Sequence, residues 1–287
     1  MSRLREEIPD SIRLLTDALL NKQVQELDMS DNAFGPDGIK GWENFVRNCS
    51  AHLTTLKINN CGLSPLGGEM IAAALKANEN LKLQHFEAGR DRLENDGISA
   101  LASFFKKSAT LQVISVPQNG IKVEGMTALM DSLITNKGLR ELRVNDNWLK
   151  GDAVEAFIVA IPVLESLEVL DISDCDIGSE NVRRIAQALK KAKSLRVLLC
   201  NYNEADEAED QYKILESLLH ITTLKEVEFR GNTVSKQLEN AVRAKFEEQG
   251  KKIEFKDIMA DEDDEEEEEE EDEDAKEMAE RFTALQL

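Results

Sequence analysis

VQELDMSDNAFGPDG, residues 24–38, decides the fold. Val24, Leu27, Met29, Asn32 and Phe34 fall on the spacing L-x-x-L-x-L-x-x-N-x-L. Apolar residues at alternate positions make a short strand with one buried side. The asparagine that follows marks a tight turn whose side chain bonds neighbouring backbone. The spacing returns seven more times, with first positions at Leu53, Leu83, Leu111, Leu139, Leu167, Leu195 and Leu224. Successive steps are 29, 30, 28, 28, 28, 28 and 29 residues. The asparagine slot reads Asn32, Cys61, Asp91, Asn119, Asn147, Cys175, Asn203 and Asn232.

Such a period identifies a leucine-rich repeat, in which units too small to hide their own apolar side stack on one another. The second half of each unit reads as an amphipathic helix, over 38–47, 67–76, 97–106, 125–134 and 153–161. The expected class is therefore α/β: a strongly curved, ribonuclease-inhibitor-like horseshoe with a parallel sheet on the concave side and helices outside. Its expected extent is 1–258, eight strand-turn-helix repeats from residue 24 plus a leading helix. That helix starts at Pro9, Asp10 and Ser11 and carries Ile12, Leu15, Ala18 and Leu19 at helical spacing. Residues 1–20 read as the second half of a repeat whose first half is absent, so a chain lacking its first repeats is expected. Residues 241–249 give a last helix and 251–255 a closing strand. The acidic run within 259–274 is expected to be disordered, because it has nothing apolar to bury. Residues 275–287 place Met278, Ala279, Phe282 and Leu285 at helical spacing; a frayed tail is the default, a short C-terminal helix the alternative.

The formal net charge is −21, and residues 261–274, all Asp or Glu, supply −14 of it. No basic concentration tracks a phosphate backbone, which argues against nucleic acid. An acidic field suits a basic protein partner. Four cysteines show no C-x-x-C and no zinc spacing, and neither a leader nor a membrane-length apolar run is visible. A reduced intracellular setting is expected. The three histidines are scattered, and there is no G-x-x-x-x-G-K-[ST] or G-x-S-x-G. No metal, no cofactor and no enzyme chemistry of its own is expected.

Function is expected on the rim that follows each strand, at the two positions before the slot. Along the chain these include Ser30 and Asp31, Asn59 and Asn60, Gly89 and Arg90, Asn145 and Asp146, and Ser173 and Asp174. A solvated polar rim is the default for any one of them. As a row, Asp146 and Asp174 beside Arg90 and Asn60 read as a protein-binding edge.

Four strings say more than the repeat requires: SRLREEIP at 2–9, SDNAFGPDG at 30–38, NNCGLSP at 59–65 and AGRDRLENDG at 88–97. With the acidic tail, they closely resemble the Ran GTPase-activating protein family over roughly residues 1–258 and the tail. The resemblance implies stimulation of GTP hydrolysis by Ran, the small GTPase of nucleocytoplasmic transport, without an arginine finger. It implies that a rim asparagine, Asn60 here, acts through a Ran tyrosine to hold Ran's own water-orienting glutamine. A family arginine needed for activity matches Arg3, with Arg5 as the adjacent basic position. Asp146 and Asp174 would meet Ran's basic surface, and Asp31, Asn32 and Arg90 complete the expected contact set. The implied partner is Ran in its GTP form, with room for a Ran-binding protein, engaged by a monomer in the cytoplasm and the perinuclear region. Asp91 departs from the family's asparagine. A non-catalytic scaffold or inhibitor on the same fold is the alternative, binding a partner without accelerating turnover.

Overall fold

A computed structural model describes residues 7–255 and 273–285. Nine strands form one parallel sheet in sequence order: β1 (Glu26–Asp28), β2 (Thr55–Lys57), β3 (His85–Glu87), β4 (Val113–Ser115), β5 (Glu141–Arg143), β6 (Val169–Asp171), β7 (Val197–Leu199), β8 (Glu226–Glu228) and β9 (Lys252–Glu254). Parallel neighbours need a crossover, and each repeat supplies one as a helix. These are α2 (Gly35–Asn48), α3 (Ser64–Ala77), α4 (Glu94–Ser108), α5 (Val123–Leu133), α6 (Asp152–Ala160), α7 (Ser179–Leu189), α8 (Ala208–Leu219) and α9 (Lys236–Glu248). The leading helix α1 (Ile8–Asp17) packs on α2.

The middle residue of every strand is buried and pairs with the middle residue of the next, from Leu27 and Leu56 through Phe86 and Ile114 to Val227 and Ile253. Because side chains alternate across a strand, the two flanking residues face the concave side. There they carry charge, as in Lys57–Glu26 at 2.9 Å and Arg143–Glu141 at 2.5 Å. Between sheet and helices lie Trp42, Phe45, Phe86, Phe105, Phe157 and Phe229, all fully buried. Helices α3 and α4 approach so closely that a Cβ on Gly68 would sit 2.8 Å from the Cα of Gly97, a separation only glycine tolerates.

Two elements depart from expectation. On α1, Leu15 and Ala18 face outward with Leu14, and the buried residue is Thr16, whose hydroxyl bonds the carbonyl oxygen of Ile12 at 3.1 Å. At the other end, Glu273–Thr283 is a docked helix, α10, packed on both α8 and α9. Phe282 is fully buried and meets the Tyr212 ring edge-on at 5.9 Å. Arg281 stacks over the same ring at 4.4 Å and pairs with Glu209 at 3.2 Å. The default of a frayed tail gives way because three apolar side chains at helical spacing find a groove between two helices. The acidic run expected to be disordered lies outside the described residues, except for its last two members, which open α10.

Candidate functional site

Backbone hydrogen bonds continue past the strands onto the rim. Asp31 N–H donates to the Asn59 carbonyl at 2.8 Å, Asn60 N–H to Gly89 at 2.7 Å, Arg90 N–H to Pro117 at 2.9 Å, and Asp146 N–H to Ser173 at 3.0 Å. Each rim residue is thereby tied to the next repeat. The residue just before the slot is also left-handed in every repeat: Asp31 (φ 61°), Asn60 (54°), Arg90 (59°), Gln118 (55°), Asp146 (56°), Asp174 (52°), Tyr202 (53°) and Gly231 (65°). Asn, Asp and Gly visit that region easily and other residues do not. Arg90, Gln118 and Tyr202 therefore stand where the fold disfavours them.

The two expected rim positions do different jobs. At Ser30, Asn59, Ser173 and Asn201 the residue two before the slot is engaged in a second polar ladder. Asn59 Nδ2 reaches Glu87 at 3.0 Å while its Oδ1 accepts from Gly89 N–H at 2.7 Å, and Asn201 Oδ1 accepts from Arg230 N–H at 2.8 Å. Those four side chains are thus committed to the fold rather than to a partner.

Below the rim runs the slot ladder. The Oδ1 of Asn119 accepts from Asp91 N–H at 3.0 Å and Leu93 N–H at 3.3 Å. Its Nδ2 donates to the carbonyls of Ala88, Val116 and Pro117 at 2.6, 3.0 and 3.0 Å. Asn147, Asn203 and Asn232 repeat the arrangement. Cys61 substitutes a thiol that donates to the Met29 carbonyl at 3.1 Å, and burial pushes that thiol up to about 12. Asp91, 0% exposed, keeps the acceptor half, taking Cys61 N–H at 2.7 Å on Oδ1, but its Oδ2 is buried without a partner. Burial raises its carboxyl to about 6, against the pull of the backbone N–H groups of Cys61, Leu63 and Gly62 and the charge of Arg90. Asparagine ladders of this kind at a 28–30-residue period are the signature of one architecture. The fold is that of a leucine-rich repeat protein. The family model described as "Leucine Rich repeat" matches residues 21–41, 49–72 and 163–186.

Three curated relatives carry the name Ran GTPase-activating protein. The chain is similar to Ran GTPase-activating protein 1 of Xenopus laevis, 47% identical over 130 residues, which is 42% of this chain and 22% of that protein. It is similar to Ran GTPase-activating protein 2 of Caenorhabditis elegans, 41% identical over 41% of this chain and 14% of that protein. The Ran GTPase-activating protein of Drosophila melanogaster is 37% identical over 42% of this chain and 22% of its own length. The leucine-rich repeat chain thus spans about a fifth of these relatives at most.

Of the residues singled out from sequence, Asp31, Asn60 and Arg90 come together. Asn60 Nδ2 donates to Asp31 Oδ1 at 2.9 Å, and Arg90 Nη2 stands 3.9 Å from the same oxygen. Asn32 is exposed beside them and spends its Nδ2 on the Met29 and Ser30 carbonyls, at 2.9 and 3.0 Å. Asp146 and Asp174 lie farther along and are close enough for Asp146 to raise the Asp174 carboxyl, behind burial as the larger cause. They share with Arg90 a cleft of about 480 Å³ that also takes in Arg92, Gln118 and Trp148. Arg3 and Arg5 lie outside the described residues. The expected contact set omits Arg92 and Trp148. Both follow directly on the slot, and at Arg92 the backbone is left-handed like that of Gly62 and Gly120 in the same position. Among the described residues no group of three His, Cys, Asp or Glu side chains could hold a metal, and no helix is long and apolar enough to cross a membrane.

Proposed function

We propose that this chain is a GTPase activator that docks Ran in its GTP form along the rim and stimulates hydrolysis by positioning Ran's own glutamine. The observation that carries the reading is the immobilisation of Asn60. Its backbone N–H is held by Gly89, the next N–H by Asp91, and its Nδ2 by Asp31. Among the described residues no donor reaches its Oδ1, which leaves one oriented acceptor on an exposed side chain. Such an acceptor suits a partner hydroxyl, as the family resemblance implies for a Ran tyrosine. Ordering that tyrosine orders the glutamine beside it, and the glutamine aligns water for in-line attack. Side chains immobilised beforehand supply this positioning at little further entropic cost. An inserted arginine is worth about 10³–10⁵ in rate in other GTPases, so an activator lacking one must draw its effect from alignment.

The names of the three relatives support the partner, and the acidic field supports a basic docking face on it. The setting we propose is nucleocytoplasmic transport, with the protein acting as a cytoplasmic monomer that contributes no chemical group to the reaction. Single-turnover GTP hydrolysis by Ran tests the proposal. Asn60→Ala should lower the stimulated rate by about 10²-fold or more, while Ran binding weakens far less. Equal rates for parent and variant remove Asn60 from the mechanism. Binding by the parent without any stimulation replaces the activator with the scaffold alternative.

A further inference from the structure

We propose that Trp148 is the anchor of the partner interface, with a lysine or arginine side chain of the bound GTPase lodging between its indole and the carboxylates of Asp146 and Asp174. This rests on the activator reading and gives its docking surface a centre and a chemistry.

The position directly after the slot reads Ala33, Gly62, Arg92, Gly120, Trp148, Asp176, Glu204 and Thr233 through the eight repeats. Seven of the eight are small, polar or charged, because the side chain there leaves the core; the inward residue is the next one, Leu149, which is fully buried. Trp148 is 38% exposed; its indole meets Lys122 of the preceding repeat, and its backbone N–H holds the Ile121 carbonyl at 2.9 Å. The repeat pattern does not call for an indole here. Half-exposed tryptophans ringed by polar groups are the commonest kind of interface hot spot, joined in that role by arginine.

The walls of the cleft select the occupant. Asp146 and Asp174, one repeat apart, have no ion-pair partner among the described residues, whereas Asp176 beside them is paired with Lys150. Partial burial, and behind it the charge of Asp146, hold the Asp174 carboxyl above its ordinary value, and a cation placed between the two carboxylates offsets both causes. The indole already accepts one such group: Lys122 Nζ lies 6.0 Å from the ring centroid. Arg90 and Arg92 line the same cleft, both left-handed at φ 59° and 55°. Arg92 has no ion-pair partner among the described residues, so it is left to take an acidic group of the same partner, which confines the basic side chain to the acidic end.

The chain holds two tryptophans, and the other, Trp42, is fully buried. Acrylamide quenching of intrinsic fluorescence therefore reports Trp148. Quenching is measured while unlabelled Ran, loaded with a non-hydrolysable GTP analogue and corrected for its own signal, is titrated in. Multiple-turnover hydrolysis is followed in parallel. Protection of Trp148 on saturation is expected. Trp148→Ala should raise the KM for Ran·GTP about 10-fold or more, with the effect in KM and not in kcat. Trp148→Phe should recover part of the loss, and Asp146→Asn with Asp174→Asn should raise KM in the same direction while flattening its salt dependence. Val159→Ser, an exposed apolar residue on the helical side, serves as the control and should leave KM unchanged. Unaltered quenching together with an unaltered KM in Trp148→Ala overturns the proposal even when the parent stimulates hydrolysis. Protection without stimulation would instead retain this docking surface and discard the activator reading.

Discussion

The turns at Asp91 and Asn119 sit one repeat apart, occupy the same slot and use the same acceptor oxygen, yet they differ by one atom. At Asn119 that atom is an N–H that satisfies three carbonyls. At Asp91 it is an oxygen with no partner, in a site with no exposure. A buried polar group left unpaired costs more than a made hydrogen bond returns. The repeat therefore demands a donor in this slot, and Cys61 shows that even a weak one serves, through Sγ to the Met29 carbonyl at 3.1 Å. The Asp91 turn violates that demand, and its two flanking arginines add unfavourable backbone on either side. All this lies next to Asn60. Departures from the rules that build a fold tend to gather where the fold does something.

The comparison breaks most visibly if the satisfied turn is made like the unsatisfied one. Asn119→Asp should cost about 3 kcal/mol at pH 7, seen as a lower urea midpoint. The loss should shrink towards pH 5, as the new carboxyl takes up a proton and regains a donor. An unchanged midpoint at both pH values would mean that the slot ladder contributes nothing.

The reverse change sharpens it. The Asp91 carboxyl is raised from its ordinary 3.8 to about 6, so the folded chain binds the proton more tightly than the unfolded one does. Folded protein then holds more protons between about pH 4 and 6, and stability falls as pH rises through that window. Above it the penalty is fully present. Asp91→Asn, which supplies the missing donor and no charge, should add about 2 kcal/mol at pH 7 and remove this part of the slope. Urea midpoints of parent and variant at pH 4, 5, 6 and 7 measure it: the gap should widen with pH and then level. A constant gap would show that the carboxyl is not the cause.

Much of the fold was legible because the repeat fixes both periodicity and residue type. Leu56, Phe86 and Ile114 are apolar at the same register in every unit, and a strand with one buried side requires that. The expected slot residues were placed correctly for the same reason. The rim was half legible: Ser30, Asn59 and Asn201 look in sequence like any other polar rim residue, and only the three-dimensional ladder shows that their side chains bond the backbone of the next repeat. The unpartnered Oδ2 of Asp91 could not be read from a single letter, since whether an aspartate is satisfied depends on what faces its second oxygen. Helix α10 was hidden differently. Met278 and Phe282 gave the right spacing, but the groove between α8 and α9 that receives them is tertiary. Trp148 was visible as a letter, and only its exposure, with the cleft beside it, gives it meaning.

The smallest expected effect separates folding from function most cleanly. Arg92 is held at φ 55°, a conformation that costs a residue with a Cβ about 1 kcal/mol. Glycine is free of that cost but loses more chain entropy on folding, about 0.5 kcal/mol. Arg92→Gly should therefore stabilise the chain by about 0.5 kcal/mol, while removing a cation from the cleft it shares with Trp148. A destabilising change that lowers activity explains nothing, because unfolding alone would do it. A stabilising change that weakens docking can only mean that the arginine is kept for something outside the fold. Thermal denaturation and the KM for Ran·GTP, measured on the same preparation, should move in opposite senses: a slightly higher Tm and a higher KM. If KM stays fixed while Tm rises, the left-handed arginine serves no partner, and the Asp91 turn is merely a worse copy of the Asn119 turn.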